Sequence, residues 1–560
     1  MAKPRTAAQV LVDQLVINGV EHVFCVPGES FLPVLDALHD SHITVTVCRQ
    51  EGGAAMMADA VGKATGRPGV CFVTRGPGAT NASPGIHIAQ QDSTPVIMFV
   101  GQVDRGMTER GAFQEMDYRA VFGSMTKWTA EIEDPRRMAE FVSRAFHQAA
   151  AGRPGPVVLA LPEDMLSETV EIADAPAWQP VETAPAPEDL VRIMGLLSAA
   201  KHPLLIVGGS RWTPEACAAI TRFAETQNLP VITSYRRLPL FDSSHPNYAG
   251  DLGIGPNPKL ISRLKASDLI ILAGGRLGEI PSQAYTLLDI PSPQTKLVHI
   301  FPDAMELGRV YVPHLSVLAS PQRFAPALAK LPAIANPQWA GSAADAHAEY
   351  LAWTETATPQ PGNVNLGEIM VWLRDNLAED AIICNGAGNY ASWIHRFFRF
   401  RRFASHIAPT SASMGYGMPS AVAMKRLFPD RTVISVNGDG DFLMNGQEFA
   451  IAVQYDLPII VLVCDNGIYG TIRMHQEREY PGRRIATDLR NPDFAGYARV
   501  FGGFGVTVEK TEDFPAAFEA ARASGQPAII HIKIDPEAIL PGTTLTRIHD
   551  LAVQRQSTSP

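Results

Sequence analysis

Two short turns in the last third of the chain carry the sharpest chemistry. The apolar stretch TVISVN runs into Gly438-Asp439-Gly440-Asp441, and PIIVLVC ends at Asp465-Asn466-Gly467. Asp439 and Asn466 are separated by one helix pattern and one strand, and each stands just past the carboxyl end of a predicted parallel strand. That is where open α/β sheets hold their ligands. A carboxylate and an amide oxygen are hard donors of the kind Mg²⁺ takes, with phosphate oxygens and water completing its octahedron. The glycines let backbone approach phosphate. A helix pattern follows from Gly446 to Tyr455. Either segment alone reads as a tight turn, because Gly, Asp and Asn dominate turns. The pair at this separation, each behind an apolar strand, points to a metal–diphosphate site.

A second candidate lies near the amino end. Glu51 closes the strand-like ITVTVC and precedes Gly52, Gly53 and the apolar run AAMMA. A carboxyl group in an apolar setting can be tuned for proton transfer. Taken by itself, Glu51 reads equally as a first-turn helix residue favoured by the helix dipole.

These residues need a scaffold, and the apolar pattern supplies one. In the first block, helices are predicted at Thr6 to Asn18, Phe31 to Leu38 and Glu51 to Thr65. They alternate with strands at His22 to Val26, Ile43 to Cys48, Gly69 to Thr74 and Pro95 to Val100. Short apolar strands separated by helices indicate βαβ units and a mostly parallel sheet. A Pro-, Ala- and acid-rich stretch, Ala173 to Asp189, reads as a linker. A second block follows with strands at Pro203 to Val207, Pro230 to Thr233, Asp268 to Ala273 and Lys296 to Ile300. After another linker, Thr356 to Asn363, a third block has strands at Ala381 to Cys384, Thr432 to Val436, Ile459 to Cys464 and Ala528 to Ile534. We expect an α/β protein of three Rossmann-like domains, at 1–170, 188–335 and 363–545, with a frayed tail from Gln554.

Bulk properties narrow the function. The net charge of −10 and the lack of a long Lys/Arg run, apart from Arg399, Arg401 and Arg402, argue against a nucleic-acid partner. No apolar stretch approaches a membrane span, and MAKPRTAAQV carries no apolar signal core, so a cytoplasmic protein is expected. Six scattered cysteines without a Cys-x-x-Cys read as buried core residues in a reducing compartment.

The segment GDGDFLMNGQEFAIAVQYDLPIIVLVCDN resembles the thiamine-diphosphate signature. CRQEGGAAMMADAVGKATGRPGVCFVTRGPGATN resembles the pyrimidine-binding domain of acetolactate synthase. The likeness covers essentially the whole chain. It implies a pyrimidine-binding, a central and a diphosphate-binding domain, with thiamine diphosphate and Mg²⁺ as cofactors. Mg²⁺ would be held by Asp439, Asn466 and the carbonyl of Ile468, beside Gly438 and Gly440. Gly388, Asn389 and Tyr390 of the NGAGNYASW loop would contact the diphosphate, and Asn81 would join the cofactor site. Glu51 would activate the cofactor's pyrimidine. SASMGYGMPSAVAMK resembles the segment that bends the cofactor, which implies Met414 as the wedge and the Ala412 carbonyl as acceptor for the pyrimidine amine. Met414 also suits ordinary gap filling.

RGAFQEMD resembles the synthase loop that carries Phe-Gln-Glu. It implies Phe113 as a pocket wall and Gln114 as a donor to substrate, and Ser30, beside Glu29, is a further expected pocket residue. Three positions depart from the pattern. Glu29 stands where synthases have the last glycine of Pro-Gly-Gly; pyruvate decarboxylases place a catalytic acid there, and a capping role fits equally. His475 replaces a pocket tryptophan, and Glu163 replaces a pocket lysine. These changes put acetolactate formation itself in question. GGRLGE and HIFPDAMELGR resemble flavin-contacting strands, with Arg276 toward phosphate, so FAD, ADP or an empty central domain all fit.

The resulting expectation is a homodimeric or homotetrameric enzyme with no nucleic-acid or membrane partner. It would decarboxylate a pyruvate-like 2-oxo acid and pass the acyl-anion equivalent to a second carbonyl. Simple decarboxylation or lyase chemistry, or flavin-dependent oxidation of a 2-oxo acid, stands as the alternative.

Overall fold

The computed structural model describes residues 3–558. It contains three six-stranded parallel sheets flanked by helices, each in its own α/β domain. Chain contacts gather these into two compact units, one running to Val181 and taking in Val422–Leu427, the other spanning Glu182–Ala421 and continuing from Phe428.

The first sheet contains β1 (His22–Cys25), β2 (Thr44–Val47), β3 (Gly69–Val73), β4 (Val96–Gln102), β5 (Trp128–Glu131) and β6 (Pro156–Pro162) in the order β2-β1-β3-β4-β6-β5. Every residue of β3, β4 and β6 is buried, as expected where helices cover both faces of a parallel sheet. Phe72 and Phe99 stack across β3 and β4 with centroids 4.9 Å apart. Such a pair adds about 0.5–1.5 kcal/mol beyond its burial. Thr6 and Gln9 cap the first helix, Ala7–Ile17, reciprocally.

Helix Glu51–Thr65 opens with small residues and lies close to helix Gly76–Asp92. A Cβ on Gly85 would come within 2.4 Å of the Ala55 Cβ. Between the two helices the Lys63 ammonium is sealed from water, joined to Asp59 and 2.7 Å from Asp92. Removing one member of a buried ionic set costs about 3–5 kcal/mol, so this cluster ties the pair together.

The second unit holds two sheets. The central one has β7 (Pro203–Val207), β8 (Val231–Ser234), β9 (Tyr248–Leu252), β10 (Leu269–Ala273), β11 (Lys296–Phe301) and β12 (Leu315–Leu318), ordered β9-β8-β7-β10-β11-β12. At its reversal point, the φ of +78° at Gly209 and a would-be Cβ 1.7 Å from the Gly274 carbonyl oxygen require glycine. The third sheet has β13 (Ile382–Asn385), β14 (His406–Ile407), β15 (Val433–Gly438), β16 (Ile460–Asp465), β17 (Phe504–Val508) and β18 (Ala528–Lys533), ordered β14-β13-β15-β16-β18-β17. This repeats the order of the first sheet.

Several local expectations change. The helix after the Gly-Asp-Gly turn begins at Asp439 rather than Gly446. It runs to Asn445, then continues through a short 3₁₀ turn into Phe449–Gln454. The tail is helical from Leu545 to Thr558 instead of fraying at Gln554. The first linker carries no regular structure until Pro187 starts a helix. Its Trp178 is nevertheless buried against Phe146 and donates its backbone N–H to Asn18. Arg399, Arg401 and Arg402 pair with Glu355 and Glu379. Five cysteines are buried, Cys217 is half-buried, and none is disulfide-bonded. Among the described residues no helix is long and apolar enough to cross a membrane.

Candidate active site

In the third sheet the order reverses between β13 and β15, and the loops that leave these two strands carry the predicted diphosphate residues. Asp439 is the first residue of its helix and is buried. Its Oδ1 accepts from the Gly440 N–H at 2.9 Å. Its Oδ2 accepts from the Gly467 N–H at 2.9 Å and the Asn491 amide at 2.7 Å. Burial pushes its carboxyl up to about 6, against these hydrogen bonds. The Gly467 bond joins the two turns, so Asp439 and Asn466 are neighbours in space. Asn466 accepts from the Ile468 N–H at 3.2 Å.

Asn491 bridges Asp439 to Asp465, donating to the Asp465 Oδ1 at 2.7 Å as well. Asp465 in turn meets His531 at 2.8 Å and Lys533 at 2.6 Å. Burial opposes ionisation of Asp465. The hydrogen bonds from His531, Lys533 and Asn491 outweigh it and hold the group well below the usual carboxylate range.

A second carboxylate, Asp441, fastens three loops. Its Oδ1 accepts from the Gly415 N–H at 2.6 Å and the Ala387 N–H at 3.5 Å, and its Oδ2 takes the Tyr390 hydroxyl at 2.5 Å. Burial raises it to about 6. The Tyr390 hydroxyl is thus committed to Asp441, and its ring lines Gly388 and Gly438. Arg236 reaches the same loops from the central domain, donating to the carbonyls of Gly386 (2.7 Å) and Pro409 (2.5 Å). Asn389 accepts from Thr471 at 2.9 Å. Ala412 is exposed with φ +54°, a strained value for alanine, and Met414 is half-buried. His475 is exposed on helix Gly470–Glu479.

These residues suit the implied cofactor. Carboxylate, amide and carbonyl oxygens match Mg²⁺. Among the described residues no three His, Cys, Asp or Glu side chains form a metal site by themselves, so the remaining ligands would be oxygens from outside the chain. The loops form a cradle without room for side chains: a Cβ on Gly386 would fall 2.3 Å from the Asp441 Oδ1, and one on Gly440 2.5 Å from the Tyr469 ring.

In the first unit, Glu51 is half-buried at the start of its helix and accepts from the Asn81 amide at 3.0 Å. The first sheet also reverses, between β1 and β3, and Glu29 and Ser30 follow β1 while Thr74 and Arg75 follow β3. Ser30 and Thr74 hydroxyls meet at 3.0 Å. The Arg75 guanidinium donates to Glu29 at 2.8 Å and lies 6.0 Å from the exposed Phe113 ring. Gln114 has φ +64°, and its carbonyl accepts from the Gly76 N–H at 3.1 Å. In the central domain Arg276 lies 3.8 Å from Glu306, and His299, pushed down to about 4 by burial, bonds the Gly275 carbonyl.

Thiamine pyrophosphate enzyme models match three stretches: the N-terminal TPP binding domain over 5–121, the central domain over 190–328, and the C-terminal TPP binding domain over 386–532. The acetolactate synthase large subunit of Corynebacterium glutamicum is 30% identical over 95% of this chain and 87% of its own length. The chain belongs to the thiamine pyrophosphate enzyme family. Acetolactate synthase isozyme 2 large subunit of Escherichia coli is 29% identical, covering 94% of this chain and 95% of its own. The probable acetolactate synthase large subunit of Methanocaldococcus jannaschii is also 29% identical, with 97% and 94% covered.

The sequence motifs single out Asp439, Asn466 and Glu51. They do not account for Asp441, Asn491, Asp465, His531, Arg236 or Arg75. Asp441 and Asp465 stand inside the two turns and Arg75 beside Gly76-Pro77-Gly78, while Asn491, His531 and Arg236 come to the diphosphate loops from distant segments.

Proposed function

We propose that the protein decarboxylates a pyruvate-like 2-oxo acid and transfers the acyl-anion equivalent to a second carbonyl, as a thiamine-diphosphate- and Mg²⁺-dependent carboligase. The observation that carries this is the coupled Asp439–Asn466 turn pair at a sheet reversal, in a chain that also keeps Glu51. Thiamine diphosphate, when bound, supplies the electron sink for loss of CO₂. The chain's own part is to bind, orient and move protons. Asp439, Asn466 and the Ile468 carbonyl would hold Mg²⁺. Gly388, Asn389, Tyr390, Gly438 and Gly440 shape the diphosphate cradle, with Asp441 and Arg236 fixing its loops. Glu51, oriented by Asn81, would hold and release the proton exchanged with the pyrimidine, and Met414 and the Ala412 carbonyl would contact that ring. Ser30, Glu29, Phe113, Gln114 and His475 face substrate.

The functional divisions follow 1–170 (pyrimidine), 188–335 (central) and 363–545 (diphosphate). The enzyme is cytoplasmic and works as a homodimer or homotetramer. Arg276 marks where FAD or ADP would sit, and nucleotide released on denaturing the purified protein measures that occupancy.

The test is a Glu51→Gln variant with a screen of 2-oxo acids for CO₂ release, with and without aldehyde acceptors. The variant should lose most turnover while binding cofactor normally. Near-normal turnover removes Glu51 from the chemistry.

A further inference from the structure

Arg75 stands at the carboxyl end of β3, on the crevice where the first sheet reverses. It is nine-tenths buried, which is unusual for a guanidinium. One of its N–H groups donates to Glu29, itself largely exposed, at 2.8 Å. Glu163 approaches the same nitrogen only to 3.7 Å, beyond hydrogen-bond reach. The buried Nε has no hydrogen-bond partner among the described residues. A buried donor left unsatisfied is costly, and a native protein retains one where something else completes it. Four of the proposed substrate-facing groups surround this arginine: Glu29 by ion pair, Phe113 by ring contact, Gln114 through the adjoining Gly76 N–H, and Ser30 through Thr74.

We infer that Arg75 is a specificity-determining residue whose guanidinium binds the carboxylate of the 2-oxo acid, with Glu29 as its fixed partner and Glu163 as the competitor that substrate displaces. This rests on the proposed 2-oxo acid chemistry. A planar fork suits a carboxylate, and lysine in its place would offer only a point charge. Burial raises the Glu163 carboxyl despite the nearby Arg75 charge, which fits a weakly held competitor.

The test uses the holoenzyme and oxamate, an unreactive analogue of pyruvate. Arg75→Gln should weaken oxamate binding, read by titration calorimetry, by about tenfold to a hundredfold, the value of a charged hydrogen bond. It should lower by at least tenfold the ratio of kcat/KM for acetoin formation with pyruvate as donor (one CO₂ released) to that with acetaldehyde as donor, which lacks the carboxylate. Arg75→Lys should fall between the two. Glu163→Gln should tighten oxamate, an effect that damaged folding does not mimic. Unchanged oxamate affinity in Arg75→Gln, or equal losses on pyruvate and acetaldehyde, would overturn the assignment and leave Arg75 as a strut for Glu29. No CO₂ release by the unmodified enzyme from any 2-oxo acid would instead defeat the proposed function, whatever oxamate does.

Discussion

At the scale of single residues, the Asp439 carboxylate proposed to bind Mg²⁺ depends on a side chain that no motif announces. Asn491 spends both N–H groups on two carboxylates, Asp439 and Asp465, which would otherwise repel each other. Groups that orient metal ligands typically contribute tenfold to a hundredfold to affinity. Asn491→Ala should therefore weaken Mg²⁺ binding by about that factor, read as the Mg²⁺ concentration needed to raise the melting temperature in the presence of thiamine diphosphate. An unchanged midpoint would show that Asn491 only packs. Asp439 and Asn466 were legible because each directly follows an apolar strand. Asn491 was not, because its bond to Asp439 spans 52 residues. Arg236 reaches Gly386 across 150. Such contacts leave no periodic trace, since the intervening chain can be any βαβ connection.

The same contrast holds for whole elements. Buried strands such as β3, β10 and β16 stand out as unbroken apolar runs. The edge strands β5, β9, β12, β14 and β17 were not read, and neither was β6, although it is an apolar and fully buried run. Most of the edge strands are short or half-exposed, and the two residues of β14 offer nothing to detect. The helical tail was hidden by its Ser, Thr and Gln content, and packing decides it. Leu545 and Ile548 join a small core with Ile468 and Met474, and His549 lies 2.8 Å from Glu477. Glu477 is buried on helix Gly470–Glu479. Burial opposes its charge, but the Gly482 N–H, His549 and Arg484 outweigh it and hold the carboxyl at about 2. A lowered acid contributes stability above its unfolded value and loses it as pH falls through the folded value. The tail helix should thus loosen between about pH 4.5 and 2. Amide exchange over Leu545–Thr558 would show this, and Glu477→Gln should flatten the dependence. An identical acid profile in that variant would assign the loosening to other groups.

At the scale of the molecule, Glu51 and Asp439 belong to different units, and the family resemblance implies that one subunit's pyrimidine side serves its partner's diphosphate side. Two-fold symmetry is the simplest way to share such sites. Glu51→Gln and Asp439→Ala chains, each nearly inactive, should regain roughly a quarter of the normal rate when mixed at random, because half the dimers then hold one intact site. Confirmed subunit exchange without recovery would place the whole site within one chain. The buried cysteines open a direct route to that geometry. Burial pushes the Cys25 thiol up to about 11 and the Cys217 and Cys384 thiols up to about 12, with Cys71 and Cys464 driven higher still. Only the thiolate reacts readily. A disulfide colour reagent should therefore register almost nothing on the folded protein and all six thiols after unfolding. The native surface is then chemically blank. A single cysteine placed at Val500, which is 87% exposed, would take a spin label at one position per chain. The label-to-label distance would report directly how two copies are arranged.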